Sequence, residues 1–309
     1  MSSEVPLIGA EELRARLPMS DAIDALETAF RTGDPSGGPL RTHLETPAGS
    51  LVLMPVTGPA GVGVKVVTIT PSNPGRDVPL LHAVYALFDP DTQAPAAILD
   101  GEALTALRTA AVSGLATRYL ANEGAARLVI FGAGVQARAH LEAMLAVRPI
   151  ERVVVVSRSP DRASALADHA RAAGIEAAVG EPGAVADADV VCTCTTSEDP
   201  VFDGSALADG AHVNAVGSYQ PHTRELDTET IRHGRVVVET REVALAEAGD
   251  LLIPIDEGAI GPDHVVADLR ELVRGAQVRR SSEDVTVFES VGMAFEDLAV
   301  ARAVVDAVP

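Results

Sequence analysis

Residues 127–137 read Arg127-Leu-Val-Ile-Phe-Gly132-Ala133-Gly134-Val135-Gln136-Ala137, and the fold follows from this stretch. Leu128–Phe131 is a short apolar run of the length of a buried strand. Two glycines then flank Ala133, and helical spacing begins at Val135 and continues to about Ala146. A G-x-G-x-x-A pattern in a strand–turn–helix setting is a dinucleotide-binding fingerprint. Gly132 allows the tight turn, and Gly134 lets the backbone approach a pyrophosphate. Ala137 is small enough for the helix to sit close to the strand. The first turn, with Ala133, Val135 and Gln136, offers free N–H groups and the positive end of the helix dipole to phosphates.

Downstream of this turn, strands alternate with helical stretches. The expected strands are Leu128–Phe131, Arg152–Val156, Ile175–Val179, Val190–Thr193, His212–Val216 and Val236–Glu239. Six strands with helix-length connections indicate a parallel, doubly wound sheet of the Rossmann type. Upstream, Leu104–Ala121 is an Ala/Leu-rich helix. Before it, Ser50–Met54, Gly61–Thr70 and Leu81–Phe88 are strands broken by Gly and Pro. Nothing between them is long enough for a helical crossover, so they are antiparallel or mixed. Residues 1–35 read as short helices, with Ser20 as N-cap before Asp21–Arg31, and residues 34–39 as a loop. Ser290–Val308 is a last helical stretch that could pack on either domain. The expectation is α/β: an N-terminal α+β domain over 1–111 and a Rossmann domain over 112–289, with 290–309 beyond it.

The net charge of this chain is −20. It lacks the basic stripes that displace counterions from nucleic acid. Six Phe, three Tyr and no Trp leave little for base stacking or membrane aromatic belts. No apolar run approaches the roughly 18–20 residues of a membrane span, and Met1 to Ala10 lacks the blocks of a signal peptide. Cys192 and Cys194 stand one residue apart, where a disulfide would be strained. They are expected as reduced thiols in a cytoplasmic protein, and no metal-ligand spacing is present.

Among 24 basic side chains, 23 are Arg and one is Lys65. Arginine serves wherever charge alone is needed, so a lysine between valines in a strand asks for a chemical reason. Arg108 lies in a helix of small and apolar residues. A charge in such surroundings is costly unless paired. A salt bridge to Asp89, Asp100 or Glu102 is one partner for either cation. Taken together, and with Arg41, they favour a substrate carboxylate, which a chain of this charge needs a local cationic cluster to hold. The strand after the glycine turn ends in Ser157-Arg158-Ser159, without the carboxylate that receives the ribose hydroxyls of NAD. A guanidinium and two hydroxyls suit a 2′-phosphate. NADP(H) is therefore expected over NAD(H), with nearby Asp161 keeping NAD(H) open. Thr109, Thr193, Val216 and Gly292 are further expected cofactor contacts.

The chain resembles the ornithine cyclodeaminase and mu-crystallin family. The resemblance rests on Gly63-Val-Lys65-Val-Val, on Leu99-Asp-Gly-Glu-Ala-Leu-Thr-Ala-Leu-Arg108-Thr-Ala-Ala and on Ile130-Phe-Gly-Ala-Gly-Val-Gln-Ala. It extends through His212-Val-Asn-Ala-Val-Gly217, Arg224-Glu-Leu-Asp227 and Gly292-Met-Ala-Phe-Glu-Asp297. It implies a homodimer, an N-terminal domain for substrate and dimerisation, and a C-terminal helix that returns to that domain. It also implies that Arg41, Lys65 and Arg108 hold a substrate carboxylate. Cyclodeaminases of the family carry an Asp in a Gly-Gly-Asp-x-Pro-Gly-Lys segment and an acid before Leu-Met-Pro. Here these positions are Tyr219 and Val52, so both carboxylates for a second amino group are missing. The likeness is better to mu-crystallin-like ketimine reductases and Δ1-pyrroline-2-carboxylate reductases. It implies NADPH-dependent reduction of a cyclic ketimine carboxylate such as Δ1-pyrroline-2-carboxylate or Δ1-piperideine-2-carboxylate. Lys65, His82 or water would supply the proton, and Tyr219 would pack near the nicotinamide. A cyclodeaminase-type lyase, an amino-acid or opine-type dehydrogenase and a non-catalytic carboxylate binder are the alternatives.

Overall fold

The computed structural model describes residues 4–35, 38–76 and 78–307. Parts of the expected 34–39 loop (36 and 37), of the N-terminus (1–3) and of the last helical stretch (308) lie outside the described residues. The chain divides into two compact units: Met1–Arg108 with Met293–Pro309, and Thr109–Gly292.

In the first unit, six strands form one sheet among the described residues: β1 (Leu7–Ile8), β2 (Thr42–Thr46), β3 (Gly49–Gly58), β4 (Gly61–Ile69), β5 (Leu81–Phe88) and β6 (Pro95–Asp100). Their order is β1-β6-β5-β4-β3-β2. Every pair is antiparallel except β1 with β6, so the sheet is mixed. Sequence periodicity misses β1 because it is two residues long, β2 because all five of its residues are exposed and show no buried face, and β6 because it opens on a proline. Helix α1 spans Ala10–Arg16 and α2 spans Met19–Thr32. The latter buries Ala22, Ile23, Leu26 and Phe30, a stripe at helical spacing. Its N-cap is Pro18 rather than Ser20. The fixed φ of proline already suits a helix start, and the Ser20 hydroxyl bonds the Asp21 carboxylate instead, at 3.0 Å.

Cross-strand partners share a face of a sheet. One row runs Met54, Lys65, Tyr85, Leu99 across β3 to β6, and all four are buried. The C-terminal helix, Ala294–Asp306, packs on β3, β4 and α2. Phe295 meets Phe30 edge-on with ring centroids 5.2 Å apart. The opposite face of the sheet carries Leu53, Val66 and Val84 in one row, with Val84 51% exposed. Gly63 stands two residues before Lys65 on the buried face. A Cβ there would overlap the Tyr85 hydroxyl, so the glycine makes the room in which the phenol lies.

The second unit is an α/β layer built on eight parallel strands among the described residues. They are β7 (Arg127–Phe131), β8 (Arg152–Val156), β9 (Glu176–Val179), β10 (Val190–Thr193), β11 (His212–Ala215), β12 (Arg235–Val238), β13 (Val265–Asp268) and β14 (Thr286–Glu289). Their order is β13-β12-β14-β11-β10-β7-β8-β9. Helix α3, Gly101–Leu120, carries the chain into this unit, and α4, Val135–Val147, follows the glycine turn. Six strands were expected and eight are present. The two extra strands, β13 and β14, are four residues each, too short to show a period. Among the described residues no helix is long and apolar enough to cross a membrane.

Replacing Gly63 with Ala is expected to destabilise the chain by about 1–3 kcal/mol, the usual cost of overpacking. The double change Gly63→Ala with Tyr85→Phe should recover part of that loss, because the phenol oxygen is the atom met first. Urea unfolding of the single and double variants measures both. Equal stability of Gly63→Ala and wild type would show that the ring is not confined there.

Candidate active site

Lys65 and Arg108 are both nearly inaccessible, at 2% and 6% exposure. Neither is paired with Asp89, Asp100 or Glu102. Those acids are used locally. Asp89 caps the turn at Thr92, Asp100 accepts from the Ala103 N–H at the start of α3, and Glu102 meets His82. The partners come from the C-terminal helix. Lys65 Nζ donates to Asp297 Oδ1 at 3.0 Å and lies 2.8 Å from Oδ2. Arg108 Nη1 donates to Glu296 Oε2 at 2.8 Å, and its Nε is 3.2 Å from Asp297 Oδ1. Glu296 and Asp297 are fully buried. These two acids were quoted above only as part of a motif. The signal that singles them out is a pair of adjacent carboxylates in an otherwise apolar helix start.

Burial is the largest influence on Lys65 and lowers its pKa to about 8; Asp297 pulls it back up, while Arg108 and Arg41 push it down. Arg41 is thus close enough to act on Lys65 through its charge, and it is half-buried. A lysine in this state carries a proton at neutral pH and can release it slightly above neutrality. The Tyr85 hydroxyl is buried in the same row and has no hydrogen-bond partner among the described residues. Burial, then the Asp297 charge, hold its pKa far above the ordinary tyrosine range, so it stays a neutral phenol.

His82 does not join this group. It pairs with Thr68, in a row that continues to Leu51, on the other face of the sheet, three residues from Tyr85. Its Nδ1 is 2.9 Å from Glu102 Oε1, with both side chains substantially exposed. The alternative of a core histidine bonded to backbone is also set aside by this position. An odd-numbered step along a strand reverses the side chain, and that puts His82 away from Lys65.

In the second unit, Gly132 has φ +102°, and a Cβ there would overlap the Cys194 carbonyl. Gly134 is different. Its φ is −95°, and a Cβ on it would meet nothing within 4 Å. The protein itself does not demand a glycine there, whereas a ligand lying on the turn does. The N-terminus of α4 has no side-chain cap, the Gln136 Oε1 is buried without a partner, and Val135 is 70% exposed. These features fit a pyrophosphate lying on the turn. At the end of β8, the Ser159 N–H donates to Ser157 Oγ at 3.3 Å. Arg158 is exposed and has no hydrogen-bond or ion-pair partner among the described residues. No group of three or more His, Cys, Asp or Glu placed to hold a metal occurs among those residues.

The carboxyl ends of β10, β11 and β14 are tied by buried acids that sequence reading missed. Glu225 accepts from Thr193 Oγ1 at 2.8 Å and from the N–H groups of Thr195 and Gly217, both at 2.7 Å. Asp250 accepts from the Glu225 and Leu226 N–H groups at 2.9 and 2.6 Å. Glu239 accepts from Ser290 Oγ at 2.7 Å and from the Gly292 N–H at 3.0 Å. Glu289 is buried, with neither oxygen hydrogen-bonded among the described residues. Burial, and then the neighbouring acids Asp250, Glu225 and Glu239, raise its pKa well above the carboxylate range. Two of the expected cofactor contacts, the Thr193 hydroxyl and the Gly292 N–H, are turned toward these acids. Thr109 is buried in α3. Val216 is half-buried, and its N–H bonds the Thr193 carbonyl. Tyr219, 37% exposed, stands in the loop after β11.

Residues 6–309 match the model of the ornithine cyclodeaminase/mu-crystallin family. The chain is 36% identical over 312 aligned residues to a Delta(1)-pyrroline-2-carboxylate reductase of Bacillus cereus, covering 96% of this chain and 94% of that one. It is 37% identical over 310 residues to the ketimine reductase mu-crystallin of Mus musculus, covering 97% and 96%. The solved Delta(1)-pyrroline-2-carboxylate reductase of Thermococcus litoralis, in complex with NADH and L-proline, superposes with a TM-score of 0.91 at 35% identity, over 98% of this chain and 97% of that one.

The two glycines of the turn are expected to fail differently. Gly132→Ala should lower the melting temperature, since it combines a strained φ with a backbone clash. Gly134→Ala should fold like wild type and lose dinucleotide affinity, read by quenching of NAD(P)H fluorescence. Unchanged affinity in Gly134→Ala would remove the turn from the cofactor site.

Proposed function

The chain belongs to the ornithine cyclodeaminase/mu-crystallin family, and from that premise we propose that it reduces a cyclic ketimine carboxylate to the cyclic amino acid with a nicotinamide dinucleotide. The observation that carries this reading is a buried lysine with a pKa of about 8, set beside Arg108 on a sheet face of the first unit. Arg41, Lys65 and Arg108 take the carboxylate and fix the imine carbon, a gain in proximity and orientation. Reduction of C=N needs a protonated nitrogen. Lys65 Nζ gives that proton, breaking one N–H bond as the imine N–H forms, and solvent later restores it. Arginine cannot do this because it does not deprotonate in the working range. The dinucleotide, when bound, supplies the hydride that the imine carbon receives. Val52 is buried and neutral, and Tyr219 replaces a carboxylate. The chain thus has no acid at either position where a second ammonium would be gripped.

NADPH is the preferred cofactor on this reading, supported by the unpaired Arg158 between two serines, while the Thermococcus litoralis relative is named with NADH. The assembly is a homodimer through the second face of the six-stranded sheet. That face exposes Leu44 at 49% and Val84 at 51%, with Leu53, Val64, Val66 and Ile98 half-buried beside them. The setting is cytoplasmic: Cys192 and Cys194 are free thiols, and burial pushes Cys192 up to about 12.

Oxidation of NADPH and NADH should be followed with five- and six-membered cyclic imines, with keto acids plus amines, and with ornithine. Turnover of the cyclic imines alone is expected, with Lys65→Arg strongly impaired. Arg158→Ala should cost about tenfold or more in kcat/KM for NADPH and little for NADH, the scale of one charge-assisted hydrogen bond. Oxidation only with a keto acid and amine together, or ammonia release from ornithine, would overturn the substrate assignment. For the assembly, light scattering should show a dimer that Val84→Glu converts to monomer. A monomeric wild type would overturn that part of the reading.

A further inference from the structure

Lys65 is surrounded by titratable or charged groups from several elements of the first unit. Asp297 and Glu296 come from the C-terminal helix, Arg108 from α3, Tyr85 from β5, and Arg41 from just before β2; β3 contributes the apolar Met54 opposite. Only one of them touches the ammonium as a hydrogen-bond acceptor: Asp297, at 3.0 Å through Oδ1, with Oδ2 at 2.8 Å. The same carboxylate lies 3.2 Å from Arg108 Nε. Asp297 therefore straddles the two cations, while Glu296 is held on Arg108 and on the N–H of Met293, 3.4 Å away.

We propose that Asp297 is a positioning residue for Lys65: it holds the ammonium in place and keeps its proton on, and so sets the pH range over which Lys65 gives that proton to the imine. As an acid in a reduction, this part rests on the reading of the preceding subsection; the effect on Lys65 itself does not. Three influences lower the affinity of Lys65 for its proton: burial, Arg108 and Arg41. Asp297 alone raises it, through its charge and its hydrogen bond. Without the carboxylate, the balance shifts toward the neutral amine at physiological pH. Fewer molecules then carry a proton to donate or a charge with which to hold a substrate carboxylate. The uncharged Tyr85 phenol cannot take its place.

One compositional fact makes this directly measurable. Lys65 is the only lysine in the chain, so protein labelled with 13Cε-lysine gives one lysine resonance. Its pH titration should have a midpoint near 8 in wild type. In Asp297→Asn, which keeps the shape and an acceptor oxygen, the midpoint should fall by about one unit or more. In Glu296→Gln it should move by less than about half a unit, because Glu296 does not touch Lys65. Imine reduction should follow: the basic limb of kcat/KM shifts down with the Asn substitution, and lowering the pH restores activity. A merely structural defect would not recover in that way. A midpoint unchanged in Asp297→Asn overturns the proposal. A shifted midpoint with an unshifted rate limb overturns the role in proton delivery. If no imine is reduced at all, the assigned reaction fails, and the resonance still decides whether Asp297 governs Lys65.

Discussion

Two cations and two anions buried together organise the first unit. Moving an isolated charge from water into a protein interior costs several kcal/mol even after relaxation. Lys65, Arg108, Glu296 and Asp297 meet this cost by pairing with one another at 2.8 to 3.2 Å. The arrangement makes several other features necessary. The C-terminal helix must return to β3 and β4, because it carries both carboxylates. Its Phe295 must find the Phe30 ring, which fixes the helix against α2. Gly63 must stay a glycine, since Tyr85 occupies the space beside it in the row that includes Lys65. Removing one member of such a set leaves a buried charge without a partner, at a scale of about 3–5 kcal/mol.

The second unit handles buried charge by another route. Glu225 and one oxygen of Asp250 accept from backbone N–H groups and a hydroxyl rather than from cations. Among the described residues Glu289 has no hydrogen-bond donor, and burial among neighbouring acids raises its pKa well above the ordinary carboxylate range. Pairing with cations retains ionic character, while burial among other acids favours the protonated form. The first unit keeps a buried ammonium, and the acids of the second unit fasten the strand ends and loops near β10, β11 and β14.

Much of this was legible in the sequence. The glycine turn, the strand before it and the helix after it follow from local chemistry: an apolar run, two glycines at fixed positions and helical spacing. The oddness of Lys65 was visible because a composition of 23 arginines makes a single lysine informative. Its partner was not. Asp297 is 232 residues away, and no local pattern reports a pairing at that separation. Nearby acids were the only ones that spacing could suggest, and each has a local use instead. The placement of His82 was lost for a similar reason. Its nearness to Tyr85 along the strand was plain, but the face is set by register with β4. Short strands such as β13 and β14 contain too few residues to display a period, and sheet pairing alone makes them strands.

The first unit is assembled from two stretches separated by the whole of the second. This has a consequence for the order in which the protein comes into being. A ribosome delivers β1 to β6 and Arg108 first, then the contiguous stretch 109–292, and only afterwards Glu296 and Asp297. At some 5–20 residues per second, Lys65 waits on the order of ten seconds or more for its counter-charge. During that interval the early sheet holds two cations it cannot bury, while the later unit has everything it needs to fold. The nascent chain thus completes its inserted unit before its enclosing one, and the buried ion-pair cluster closes last.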